Sequence, residues 1–225
     1  MLKAIVFDLD DTLFPEHEFV WSGFQAVSSW VATKYAVTGF FEVAWQFFEQ
    51  GKRQNIFNLA LEKLRVQYDS GVIQELIQVY RQHKPTISLY EDAKSAIAYF
   101  KHNYQLGIIT DGYLTTQRNK VAALGIESSF EAIIYSDLYG RENWKPSPIP
   151  YQKIMELLVC LGSECLYVAD NPSKDFVTAN KLNWMTVQIC RERGEYSKII
   201  SKDSYLANFK IHSLLELKDL IIEAR

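Results

Sequence analysis

With 225 residues, 48% of them apolar and 23% charged, the chain sits among ordinary soluble proteins and is long enough to bury a full core. Its net charge of −3 leaves a general attraction to nucleic acid or acidic membranes unsupported, and neither is an expected partner. No run approaches the roughly 18 apolar residues of a membrane span, and Met1 leads straight into a strand with no secretory-signal pattern, so a cytoplasmic protein is expected.

The first stretch, Lys3 to Thr12, is a short apolar run rich in strand formers that stops at the carboxylates Asp8, Asp10 and Asp11. It reads as a buried parallel strand that delivers acids to its carboxyl end. After Thr12 the period becomes helical. Val20, Phe24, Val27, Val31 and Tyr35 form one stripe, and Thr38 is placed to cap a second helix that carries Phe41, Val43, Ala44, Trp45, Phe47 and Phe48 and stops at Gly51. A third helix is expected from Asn55 to about Gln67, and a fourth, capped by Ser70, before Pro85. Four helices on short connections suggest a bundle of their own, and aromatics at helical spacing, Trp21, Phe24, Trp30, Tyr35, Trp45, Phe47 and Phe48, read mainly as its core. Lys52 to Asn55 read as a solvated loop.

From Pro85 onward helices and strands alternate. Helices are expected at Asp92–His102, Thr115–Leu124, Pro148–Leu161, Ser173–Leu182 and Leu214–Ile222; strands at Gln105–Thr110, Ala132–Tyr135, Cys165–Ala169 and Met185–Ile189. This is the pattern of an α/β fold, a Rossmann-like three-layer core with a mainly parallel sheet of at least five strands. Residues 191–213 carry no clear pattern. Cys160, Cys165 and Cys190 lack metal-site spacing and read as buried small apolar residues.

Every predicted strand but the last ends in polar residues. Asp8 and Asp10 follow the first, Thr110-Asp111-Gly112 the second, Trp144-Lys145-Pro146 the loop after the third, and Asp170 to Asp175 the fourth. In an open α/β sheet these ends meet in one crevice. Singly, each has an ordinary structural explanation as a turn, cap or solvated charge; together and in order they resemble the four motifs of the haloacid dehalogenase superfamily, in its phosphatase branch. One departure is Ala169, where many members have glycine.

The resemblance implies a catalytic core of residues 1–14 and 85–225 and a small all-helical cap of residues 15–84, inserted after the first motif. It implies that Asp8 is a nucleophile forming an aspartyl-phosphate, and that Asp10 is acid to the leaving alcohol, then base to water. Thr110 and Lys145 would hold the phosphate. The metal would be held by Asp8, the backbone carbonyl of Asp10, Asp170 and Asp175, the last as ligand or as support behind the ligands. Transferring phosphoryl groups among carboxylates calls for a hard cation, and Mg²⁺ suits aspartate oxygens. The expected function is Mg²⁺-dependent hydrolysis of a small phosphorylated metabolite, a sugar phosphate or nucleotide, by a monomer or homodimer. The alternatives are a 2-haloacid dehalogenase or phosphomutase on the same fold, and an inactive binding protein. An acid at Asp10 favours phosphoester chemistry. Asp11, Asp111 and Asn171 are ambiguous between chemistry and turn structure.

Overall fold

Four residues with no solvent exposure, Ala4–Phe7 (β1), start the sheet. The computed structural model describes residues 1–196, 199 and 202–223; residues 197–198, 200–201 and 224–225 of the expected core segment lie outside the described residues. Strands follow at Gln105–Thr110 (β2), Ala132–Tyr135 (β3), Cys165–Ala169 (β4), Met185–Ile189 (β5) and Phe209–Ile211 (β6). They form one six-stranded sheet in the order β3-β2-β1-β4-β5-β6, and every pairing is parallel. The chain moves outward one way from β1 to β3, then crosses to β4 on the other side. The switch point therefore lies between the carboxyl ends of β1 and β4, where ligands of such sheets bind.

Because side chains alternate along a strand, β1 faces two layers. Ala4 and Val6 share a core with Tyr151, Ile154 and Leu158 of helix Pro148–Leu158 and with Phe176 and Ala179 of helix Phe176–Lys181. Ile5 and Phe7 are buried on the other face. There helix Glu91–Phe100 contacts β2 and the turn Leu214–Glu216, which leads into helix Leu217–Glu223.

In chain order the helices are α1 (Glu16–Tyr35), α2 (Phe40–Glu49), α3 (Ile56–Lys63), α4 (Ser70–Gln82), α5 (Glu91–Phe100), α6 (Leu114–Leu124), α7 (Pro148–Leu158), α8 (Phe176–Lys181) and α9 (Leu217–Glu223). None among the described residues is long and apolar enough to cross a membrane.

The chain divides into two compact units, Met1–Glu16 with Ser88–Arg225, and His17–Ile87. The second has a helical core of its own. Phe24 lies at its centre, with the rings of Trp45, Phe48, Phe57 and Tyr80 all within 6.5 Å of it, centroid to centroid. Trp21 departs from the core expected for it: it is 41% exposed and set edge-on against Phe41 and Trp45. Lys52 to Asn55 are exposed, and Arg53 donates to the Phe48 and Lys52 carbonyls.

Helix starts differ from expectation by local chemistry. Gly39, at φ 86°, precedes α2 in place of a capping Thr38, because the chain enters through a left-handed residue that threonine adopts poorly. Asp69, not Ser70, caps α4, its carboxylate accepting from the Val72 N–H at 3.0 Å. α7 stops at Leu158, α3 at Lys63, and α8 starts only at Phe176. Of the cysteines, Cys165 is buried, while Cys160 and Cys190 are half-exposed.

Candidate active site

Parallel register brings the strand ends to one level. Phe7 pairs with Ile108 of β2 and with Val168 of β4, and the Asp8 N–H donates to the Val168 carbonyl at 2.9 Å. Asp8 therefore leaves the sheet beside Thr110 and Asp170, with the switch point between them.

Lys145 ties this level together. Its buried ammonium donates to Asp8 Oδ1 at 2.6 Å and to the Tyr167 hydroxyl at 3.0 Å, and lies 2.7 Å from Asp175 Oδ1. Burial alone would lower its pKa, but the Asp175 and Asp8 carboxylates outweigh that and hold it well above the ordinary lysine value. Burial pushes the Asp8 carboxyl up to about 6 even against the attraction of Lys145.

Asp8, Asp170 and Asp175 are all buried and place one carboxylate oxygen each within 4.8 Å of one another. Burial, then repulsion from Asp8 and Asp175, raises Asp170 well above the ordinary aspartate value. Its Oδ2 is buried with no hydrogen-bond partner. Asp175 is engaged on both sides: Oδ1 faces Lys145 and accepts from Tyr167 at 3.3 Å, and Oδ2 accepts from the Asn171 N–H at 3.1 Å.

On the other side of Asp8, both oxygens of Asp10 are held from α6. Lys120 Nζ is 2.5 Å from Oδ1, and Gln117 Nε2 is 2.9 Å from Oδ2. The same Gln117 amide donates to Thr110 Oγ1 at 2.5 Å. Gln117, Lys120, Lys174 and Tyr167 are the residues that sequence reasoning passed over. One signal existed for the first two: along α6 the residues at helical spacing that turn inward are Thr116, Gln117, Lys120 and Val121, a stripe mostly polar where a covering helix ordinarily presents apolar side chains.

The three ambiguous residues have structural work. Asp11 sits at φ 50° with its carboxylate accepting from the Glu16 N–H at 2.9 Å and the Glu195 N–H at 3.0 Å. Asp111 accepts from the Lys145 N–H at 3.2 Å and from Lys174 at 2.9 Å. Burial would raise Asp111, yet the Lys145 and Lys174 ammoniums hold it below the ordinary value. Asn171 Oδ1 accepts from the Ser173 N–H at 2.9 Å, closing the turn after β4. Asp11→Ala is expected to destabilise the protein by about 2–6 kcal/mol, because two backbone N–H groups lose a charged acceptor at ~1–3 kcal/mol each. A urea unfolding midpoint equal to the parent's would show that the turn stands without them.

The family model described as haloacid dehalogenase-like hydrolase matches residues 5–189. A glyceraldehyde 3-phosphate phosphatase of Methanocaldococcus jannaschii is 30% identical over 98% of this chain and 97% of its own length. In structure, the chain resembles a 2-haloacid dehalogenase from Pseudomonas syringae with a TM-score of 0.70, at 20% identity and complete coverage of both chains. It also resembles the magnesium-bound putative hydrolase YfnB of Bacillus subtilis with a TM-score of 0.69, at 16% identity over 98% of each chain.

Proposed function

We propose, from the premise that the chain belongs to the haloacid dehalogenase-like hydrolases and is a phosphatase among them, that it hydrolyses small phosphoesters through an aspartyl-phosphate on Asp8 with Mg²⁺ bound at its acids. The observation that carries the reading is the pairing of the buried Asp8 with Lys145 while Asp10, two residues on, stands apart in its own ion pair with Lys120. Two carboxylates two residues apart thus have different partners and different work. The naming of the archaeal relative favours a triose phosphate or similar short sugar phosphate as substrate.

The donor set fits a hard divalent cation. Three buried carboxylates converge, and one of their oxygens, Asp170 Oδ2, lacks any partner in a site where an unpaired buried charge is costly. Asp8 and Asp170 would hold the ion with the Asp10 carbonyl, while Asp175, spent on Lys145, Tyr167 and Asn171, would support them. When bound, Mg²⁺ offsets the charge of the acids and of the phosphoryl oxygens.

The chain's own residues do the rest. Asp8 attacks phosphorus as Lys145, fixed on its carboxylate, neutralises charge on the transferring group. Thr110, its hydroxyl oxygen accepting from Gln117, keeps its own O–H for a phosphate oxygen. Asp10 gives a proton to the departing alkoxide and later takes one from the water that opens the phosphoenzyme.

Hydrolysis of a panel of triose phosphates, other sugar phosphates and nucleotides, with Mg²⁺ and with chelator, tests the reading. Turnover of a 2-haloacid with no ester hydrolysed would overturn it. Asp170→Asn separates metal from fold. At a Mg²⁺ concentration 100 times Kd, the parent is expected to gain about 2.7 kcal/mol of stability, and the variant none. In chelator the order reverses: a neutral amide relieves the repulsion from Asp8 and Asp175, so the inactive variant is expected to exceed the parent by about 1–2 kcal/mol. Thermal melts in the two buffers read both effects.

A further inference from the structure

A lysine and a glutamine buried on one helix face need partners, and here both find the same one. Gln117 is 1% and Lys120 3% exposed, one turn apart on α6. Lys120 holds Asp10 Oδ1 at 2.5 Å and lies 5.7 Å over the Phe14 ring, within the segment that follows Asp10. Gln117 holds Asp10 Oδ2 at 2.9 Å and Thr110 Oγ1 at 2.5 Å with one amide nitrogen. Space for that amide is kept by Gly112, at φ 127°, where a Cβ would come within 3.1 Å of Gln117 Cδ. Neither oxygen of Asp10 is left to choose its own direction.

We infer that Lys120 and Gln117 are positioning residues for the second half of the reaction: they set the Asp10 carboxylate as the base that activates water. The inference rests on the reading of Asp8 as nucleophile and Asp10 as base. In that step a water O–H bond breaks and its proton passes to Asp10. The water oxygen bonds to phosphorus, the bond from phosphorus to the Asp8 oxygen breaks, and its electron pair returns to Asp8. Lys120 fixes one oxygen of Asp10, and Gln117 ties the direction of the other to the phosphate-holding Thr110. Two of the residues that must act together are thereby carried on one helix.

A positioning role in this half-reaction leaves a kinetic signature that a loosened fold does not. The substrate is 4-nitrophenyl phosphate with Mg²⁺, whose leaving group departs without acid help, so kcat/KM reports capture by Asp8 alone. For Lys120→Met, kcat is expected to fall by roughly 10²-fold, in line with a general base. KM should fall in parallel, leaving kcat/KM within about threefold. Stopped-flow should show a burst of nitrophenolate approaching one per chain, and acid quench a phosphorylated protein. Gln117→Leu, which keeps bulk and charge balance, should shift the same way by a smaller factor, and Lys120→Arg should recover part of kcat.

Asp10→Asn is the benchmark. If it shows neither lowered kcat nor a burst, the reading of Asp10 as base fails. If it bursts while Lys120→Met and Gln117→Leu lose kcat and kcat/KM together, or keep both, the positioning role is overturned. Should Lys120→Met melt below the assay temperature, Gln117→Leu alone and in the Asp10→Asn background decides. A further loss in that background as large as in the parent would mean that Gln117 does not act through Asp10.

Discussion

Asp8→Asn should lower kcat by on the order of 10⁴-fold or more with every phosphoester the parent turns over, because an amide cannot supply the attacking oxygen. The fold should survive. Asparagine has nearly the same shape, and the ionised carboxyl is costly where it sits, since burial pushes its pKa up to about 6. The sign of that shift yields a second readout in chelator. An acid whose pKa is higher folded than unfolded makes the folded state bind more protons between the ordinary aspartate value and about 6, so its contribution to stability falls as pH rises through that window. Asp8→Asn removes this part of the pH dependence. Activity equal to the parent's would reject Asp8 as nucleophile, whatever the melts show. Quenched turnover mixtures should yield a phosphoryl adduct on the parent's Asp8 peptide and none on the variant's.

Lys145→Met carries the largest expected structural effect. The lysine is wholly buried between Asp8 and Asp175, and removing it leaves two buried carboxylates facing each other without a cation. Breaking one partner out of a buried ion pair costs about 3–5 kcal/mol. At ~2–4 °C per kcal/mol for a protein of this size, the chelated variant should melt roughly 10 °C below the parent. A melting point unchanged in chelator would mean that Asp8 and Asp175 do not share charge through Lys145. Added Mg²⁺ should restore stability in part but not activity, since in the proposed mechanism the lysine also neutralises the transferring phosphoryl group.

What could be read from the chain, and what could not, divides by the range of the interactions. The strands that carry the site were legible because each is a short, fully buried run that halts at polar residues, as Ala4–Phe7 does at Asp8 and Cys165–Ala169 does at Asp170. β6 was not. It has three residues, of which Phe209 and Lys210 are exposed, so it has neither an apolar run nor a clear alternation. Thr38 and Ser70 were misplaced as caps because Gly39 and Asp69, one residue away, compete by backbone freedom and by side-chain charge respectively. The ambiguity of Asp11 had a different origin. One of its backbone partners is the N–H of Glu195, 184 residues along, inside the stretch with no readable pattern. The role of Lys120 is hidden from the sequence for the same reason: its partner Asp10 lies 110 residues earlier.

The strand order also bears on how the protein is made. β1 leaves the ribosome before the other described strands, yet it lies between β2 and β4, whose last residue is Ala169. The turn that carries its acids is closed by the Glu195 N–H, and the Arg191 guanidinium donates to the Thr12 carbonyl at 2.7 Å. The segment His17–Ile87, in contrast, is contiguous and has its own core. Synthesis therefore delivers a complete helical unit early, while the strand that leads to Asp8 lacks its β4 neighbour until most of the chain has emerged. Ribosome-bound chains halted before residue 165 should hold a protease-resistant helical fragment and no phosphatase, and the interval between the two is when this protein most needs a chaperone.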